Sequence, residues 1–182
     1  QLLVLVPTRE LCNQVTKEFR KFTKYRKTYI IGIYGGVSIS PQIDDLRHAD
    51  VVVGTPGRIL DHLEQRTLSL KNVKTLVLDE ADRMLDMGFI EDVDKIISHC
   101  PKERQTMLFS ATISSDIEHL TKKYLKNPVN VSVESYVDPS LLKQQYYDVP
   151  KEQKFSLLVH LLKKEQTGLI MVFCNTRRNT DI

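Results

Sequence analysis

Five short aliphatic runs, each followed by a stretch of different periodicity, limit what this chain can become. "LLVLV" (2–6), "TYIIGIY" (28–34), "DVVVG" (50–54), "KTLVLD" (74–79) and "QTMLFS" (105–110) show little polar alternation. Strands of that kind are covered on both faces, as in parallel sheets. Between them, "RELCNQVTKEFRKFTK" sets Leu11, Val15, Phe19 and Phe22 at helical spacing. A polar helix is expected near 40–48, another from Pro56, and another through "FIEDVDKIISHC". A last one over "SSDIEHLTKKYL" has Ser115 and Glu118 at capping-box spacing. This repetition predicts an α/β domain: a parallel sheet, helices on both faces, right-handed crossovers. "PVNVSVE" (128–134) is expected to close the series as a strand.

The rhythm breaks at "SYVDPSLLKQ" and then restarts. The boundaries read as a first domain over 1–134, a linker over 135–143 and the start of a second α/β domain over 144–182. In the second part, "KEQKFSLLVHLLKKEQ" carries an apolar stripe of Leu157, Leu158, Leu161 and Leu162, and "GLIMVFC" reads as a strand. Tyr146 and Tyr147 have a strand-like setting that favours packing over base stacking. The chain opens inside a strand without an initiator Met and stops where a helix begins, so it is expected to be a piece of a longer protein.

Hydrophobic residues make up 41% and charged residues 27% of the 182, a balance that fits a globular protein and excludes a disordered one. No apolar run is long enough to span a bilayer and no signal peptide is visible. Cys12, Cys100 and Cys174 form no CxxC pair, and the five histidines lack metal spacing. The expectation is an intracellular setting, cytoplasmic or, in a eukaryote, nuclear. Cys12 and Cys174 are expected to behave as buried small hydrophobes, and the histidines to fill surface or packing roles. Net charge is +3, but "TKEFRKFTKYRKT" (16–28) concentrates six cations against Glu18. That run is either a solvated helix face or a phosphate-facing patch.

Open parallel sheets bind ligands at the carboxyl ends of their strands. "PTRE", "YGG", "TPGR", "DEAD" and "SAT" follow the five strands in turn, so all should gather on one edge. Asp79 and Glu80 are adjacent carboxylates, which raise each other's pKa unless a cation offsets the repulsion. Mg2+ on nucleotide phosphates is a natural offset, since it prefers one or two carboxylates plus waters and phosphate oxygens. Asp79 would hold it and Glu80 would orient or deprotonate water; the competing reading is an acidic helix start. Ser110 and Thr112 either bond Asp82 or serve as turn residues. Thr55 can cap a helix, Pro56 suits its first position, and Gly57 lets a ligand approach. Arg58 adds a fork of donors suited to phosphate, Thr8 and Arg9 offer similar parts, and Gly35 and Gly36 permit close contact. A row of anion sites along one edge is what a sugar–phosphate strand requires.

Pro7-Thr8-Arg9-Glu10-Leu11, Gly35-Gly36, Thr55-Pro56-Gly57-Arg58, Asp79-Glu80-Ala81-Asp82 and Ser110-Ala111-Thr112 stand in the order and approximate spacing of the DEAD-box RNA helicases. Val172-Phe173-Cys174-Asn175-Thr176 looks like that family's first motif of the second domain. The chain therefore resembles that family over essentially its whole length. The resemblance implies two RecA-like domains, the first N-terminally truncated here and the second only begun. It implies ATP and Mg2+ between the domains and RNA across both. Asp79 would serve the Mg2+ ion, through water, and Glu80 the hydrolytic water. Asp82 would bond Ser110 and Thr112, linking nucleotide state to RNA. Pro7, Thr8, Arg9, Gly35, Gly36, Thr55, Gly57, Arg58 and Thr176 would line the RNA backbone, with little sequence preference. Protein regulators are a further class of partner, and no membrane is implied.

One departure matters. No G-x-x-x-x-G-K-[ST] occurs in these residues. The 182 residues alone are therefore expected neither to bind ATP well nor to hydrolyse it, whereas the parent protein is expected to unwind short RNA duplexes or remodel ribonucleoprotein. The alternatives are a non-catalytic RNA- or partner-binding module and a helicase acting on DNA.

Overall fold

The computed structural model describes residues 1–132, 142–164, 168–176 and 180. The chain divides into two compact units, Gln1–Val131 and Ser132–Ile182.

In the first unit, five parallel strands lie in the order β2-β3-β1-β4-β5. They are β1 (Leu2–Leu5), β2 (Ile30–Ile33), β3 (Val51–Gly54), β4 (Thr75–Leu78) and β5 (Gln105–Leu108). The helices are α1 (Arg9–Phe22), α2 (Ser40–Leu46), α3 (Pro56–Glu64), α4 (Ala81–Asp86), α5 (Ile90–Ser98) and α6 (Ser115–Tyr124). Alternate residues of each strand feed opposite cores. Leu3, Leu5, Ile31, Ile33, Val52, Leu76 and Leu78 pack with Ile59, Met84, Ile96 and Ile117 on one face. Val4, Val6, Ile30, Val51 and Val53 pack with Cys12, Val15 and Phe19 of α1 on the other. Burial on both faces explains why the strands read as unbroken aliphatic runs.

The register makes the strand ends level. Leu5 lies beside Gly54 and Leu78, Gly54 beside Ile33, and Leu78 beside Leu108. The ladder continues one step past the strands, with Val6 N donating to Gly54 O, Thr55 N to Ile33 O, Asp79 N to Leu5 O and Phe109 N to Leu78 O. All five following loops therefore start from one edge.

Several expectations fail. Residues 128–132 form no strand, and Val129 and Val131 are exposed; Asn127 turns the chain at φ 47 and Pro128 has no N–H for a ladder. The rest of that expected strand, like residues 135–141 of the expected linker, lies outside the described residues. The cap of α6 is Ser114, whose hydroxyl accepts from Ile117 N, one residue before the expected Ser115. In the second unit the helix forms as α7 (Lys154–Lys164) after a 3-10 turn at Lys151–Gln153. Residues 142–149 and 168–174 form no strand. A lone parallel strand has no ladder to join, and this unit shows no other strand among its described residues. Tyr146 and Tyr147 accordingly stand exposed rather than packed, and Cys174 is exposed rather than buried.

Candidate functional site: one edge of the sheet

On the β2-β3-β1 half of the edge, three loops meet. Thr8 starts α1 in extended conformation, and its Oγ1 accepts from Leu11 N at 3.2 Å. Pro7 is buried, so it shapes this loop without presenting its side chain. Arg9 is exposed and lies over the Tyr34 ring, 5.0 Å from its centroid. Tyr34 leads into Gly35 and Gly36, both exposed, and Gly36 has φ 79, a conformation that side chains with a Cβ resist. Thr55 occupies the N-cap of α3 without a side-chain cap bond, and Pro56 sits in the first turn. Open space faces Gly57, since an added Cβ would meet nothing within 4 Å.

Arg58 departs from the expectation of a fork offered to solvent. Its side chain is only 12% exposed. Nε donates to Asp61 at 3.1 Å, one terminal nitrogen to the Val37 carbonyl at 3.0 Å and the other to Gln42 Oε1 at 3.4 Å. Gln42 donates onward to the Tyr34 carbonyl at 3.2 Å. Its Oε1 also lies 3.2 Å from Nε2 of His62, which has no exposed surface at all. Burial, then the Arg58 charge, holds the His62 pKa below its ordinary value against the opposing pull of Asp61. Sequence reasoning missed this network. Gln42 and His62 sit in no motif, and only their polarity at core-facing positions could have flagged them.

On the β4-β5 half, the chain turns sharply after Leu78. Glu80 adopts the left-handed conformation, φ 49 and ψ 52, rare for a residue with a side chain. This turn lets Asp79 Oδ1 accept from Glu80 N at 3.0 Å and Ala81 N donate to Phe109 O at 3.0 Å. Glu80 pairs with Arg83 at 3.3 Å. Asp82 Oδ2 accepts from both Thr112 N (3.0 Å) and Thr112 Oγ1 (3.1 Å), bridging α4 to the loop after β5. Ser110 sends its hydroxyl proton to the Thr112 carbonyl at 2.8 Å, so it acts on Asp82 chiefly by holding that turn.

The two aspartates are tuned in opposite directions. Burial, reinforced by the Glu80 charge, raises Asp79, although the Glu80 amide pulls the other way. Slight burial also pushes Asp82 upward, but the Thr112 hydroxyl, the Arg83 and Thr112 amides and Ser110 outweigh it and lower the pKa. A carboxylate held in an unfavourable charged state gains from a cation. No group of three or more His, Cys, Asp and Glu converges among the described residues. The described residues around Asp79 therefore offer no all-protein metal cage.

The basic run 16–28 does not reach this edge. Arg20 bonds the Ile30 carbonyl at 3.0 Å, at the start of β2, and Lys21 pairs with Glu18. The run therefore lies at the opposite end of the strands. Thr176 belongs to the second unit, where it is exposed. No helix among the described residues is long and apolar enough to cross a membrane.

Comparison with known proteins adds an independent line of observation. Residues 1–120 match the family described as DEAD/DEAH box helicase. The chain is 45% identical over 185 residues to the DEAD-box ATP-dependent RNA helicase CshA of Geobacillus kaustophilus, covering 100% of this chain and 39% of that protein. It is 43% identical to the protein of that name from Bacillus licheniformis, with 100% and 38% covered. Among solved structures, the crystal structure of a DEAD box protein from the hyperthermophile Methanococcus jannaschii matches with a TM-score of 0.72 at 46% identity, covering 100% of this chain and 49% of that one. The chain thus spans less than half the length of these relatives. The sheet, its loop order and these matches agree: the chain belongs to the DEAD/DEAH box helicase family.

Proposed function

We propose that this chain is part of an ATP-dependent RNA helicase that unwinds short RNA duplexes or remodels ribonucleoprotein, driven by nucleotide-dependent closure of two domains. In this reading residues 1–134 make up most of the first RecA-like domain, 135–143 the linker and 144–182 the beginning of the second. One observation carries it. Asp82, in the first turn of α4 just past β4, accepts hydrogen bonds from Thr112 on the same sheet edge as Arg9, Gly36, Thr55 and Gly57. A nucleotide-sensing group and a row of anion sites thereby share one rigid platform.

Asp79, through water, would hold Mg2+, which when bound neutralises charge on the ATP phosphates. Glu80, whose backbone takes a left-handed turn, would orient or deprotonate the hydrolytic water. Asp82 would pass the state of its neighbours to Thr112. Pro7, Thr8, Arg9, Gly35, Gly36, Thr55, Gly57, Arg58 and, from the second unit, Thr176 would follow the RNA backbone. Contacts to backbone rather than base edges carry no sequence information. The setting would be intracellular, and protein regulators would choose the RNA target. These 182 residues contain no G-x-x-x-x-G-K-[ST], so by themselves they would hydrolyse little ATP. That lack also keeps a second reading in play, a non-catalytic RNA- or partner-binding module.

RNA-stimulated ATP hydrolysis by the full-length protein tests the proposal. Glu80→Gln should lower turnover by about 10²-fold or more. Undiminished turnover would overturn the catalytic assignment, and no RNA-stimulated turnover in the wild type would favour the binding module.

A further inference from the structure

The network behind Arg58 is a largely buried polar assembly whose side chains are bonded to one another. Gln42 Nε2 donates to the Tyr34 carbonyl, so its Oε1 faces Arg58 and His62. An oxygen there needs donors, which fixes His62 with its proton on Nε2. His62 Nδ1 lies 2.8 Å from the Thr67 hydroxyl, whose one proton can go to Nδ1 or to the His62 carbonyl 3.1 Å away. Burial and the Arg58 charge favour the neutral imidazole. Gln42 is thus satisfied at both ends. It ties α2 to α3 and, through the Tyr34 carbonyl, to the start of the Gly35–Gly36 loop. Arg58 closes the circuit by donating to Val37 O just beyond those glycines.

Three of the five guanidinium protons of Arg58 are engaged in these bonds. What remains is oriented rather than free. The same bonds set the Gly35–Gly36 loop beside the N-terminus of α3, where backbone amides face anions.

We infer that Gln42 and His62 are positioning residues for RNA: they hold Arg58 and the Gly35–Gly36 loop in the one relative placement that engages consecutive phosphates. This rests on the RNA-path reading above. A purely structural role would lower stability without changing how many phosphates the protein engages. A positioning role changes that number in protein that is still folded.

The test uses the full-length protein, a fluorescein-labelled twelve-nucleotide oligouridylate and a non-hydrolysable ATP analogue. RNA affinity is measured by anisotropy over a range of salt, with thermal melts in parallel. Gln42→Met keeps volume but removes both polar ends. It should weaken RNA binding on the order of tenfold and make the slope of log K against log salt shallower by about 0.7 for each phosphate that is no longer engaged. Gln42→Glu keeps an acceptor for Arg58 and His62 but loses the donor to the Tyr34 carbonyl, so it should weaken RNA binding by about threefold or more. In a double-mutant cycle, Arg58→Ala and Gln42→Met should be strongly non-additive. If folded Gln42→Met binds RNA as the wild type does, with the same salt slope, the inference falls. Should Gln42→Met not fold, Gln42→Glu decides, and wild-type affinity with the same salt slope in that variant overturns it. If Arg58→Ala leaves affinity unchanged, the RNA-path reading fails and this inference with it; a loss in Arg58→Ala with none in Gln42→Met sinks this inference alone.

Discussion

Asp79 and Asp82 flank the same turn yet respond to acid in opposite senses. The folded-state pKa of Asp82 is lowered, so its ionised form adds stability above the ordinary carboxylate value, and that stability is lost as pH falls through the depressed value. Asp79 is raised from 3.8, so folding favours its protonated form, and stability declines as pH climbs from there to the raised value. Thermal melts from about pH 3 to about pH 8 should separate the two. Asp82→Asn should lower the melting temperature near neutrality, with the deficit closing in acid. Asp79→Asn should raise it near neutrality, with the gain vanishing in acid, while disabling the proposed cation site. A stabilising substitution that costs function is typical of a site kept strained for its chemistry, and the left-handed Glu80 beside it fits that pattern. The acids themselves were legible in the sequence because three carboxyls after an aliphatic run have few structural uses. The polarity of Gln42 and His62 was not, since one buried glutamine looks like any surface glutamine until its neighbours in space are known.

At the level of elements, hydrophobic periodicity did most of the work. The five strands of the first unit and the stripe of α1 follow from it directly. It failed where an apolar run lacked partners. "VNVSV" and "GLIMVFC" have strand-like composition, but a parallel strand exists only beside another. One element-level collision cannot be read from residue order. Gly54 ends β3 where it meets α3, and a Cβ there would lie 2.5 Å from Ile59 Cδ1 and 3.2 Å from the Ile33 carbonyl. Since Ile59 is fully buried, it has little room to move. Gly54→Ala should therefore cost about 1–3 kcal/mol in denaturant unfolding. Pairing it with Ile59→Ala should recover part of that loss, because both colliding atoms, Cδ1 at 2.5 Å and Cγ1 at 2.7 Å, are removed. An additive double variant would mean that the backbone, not Ile59, sets the limit.

For the whole molecule, the sequence implied a parallel sheet but not its order. Placing β1 in the centre, between β3 and β4, depends on long-range packing that no local pattern encodes. That order splits the functional edge by charge: glycines and arginines on β2, β3 and β1, carboxylates on β4. Neighbouring strands are about 4.8 Å apart, and charges in physiological salt are felt over about 8 Å. The level strand ends would therefore make the acids repel a polyanion chiefly where it lies on the β1 loop, one strand spacing away, since β3 and β2 are about two and three spacings distant. If the proposed nucleotide and RNA sites are correct, an empty nucleotide site should discourage RNA by electrostatics alone. In nucleotide-free full-length protein, Asp79→Asn should bind RNA more tightly than the wild type, the advantage should shrink as salt rises, and equal affinities at low salt would show that this repulsion does not operate.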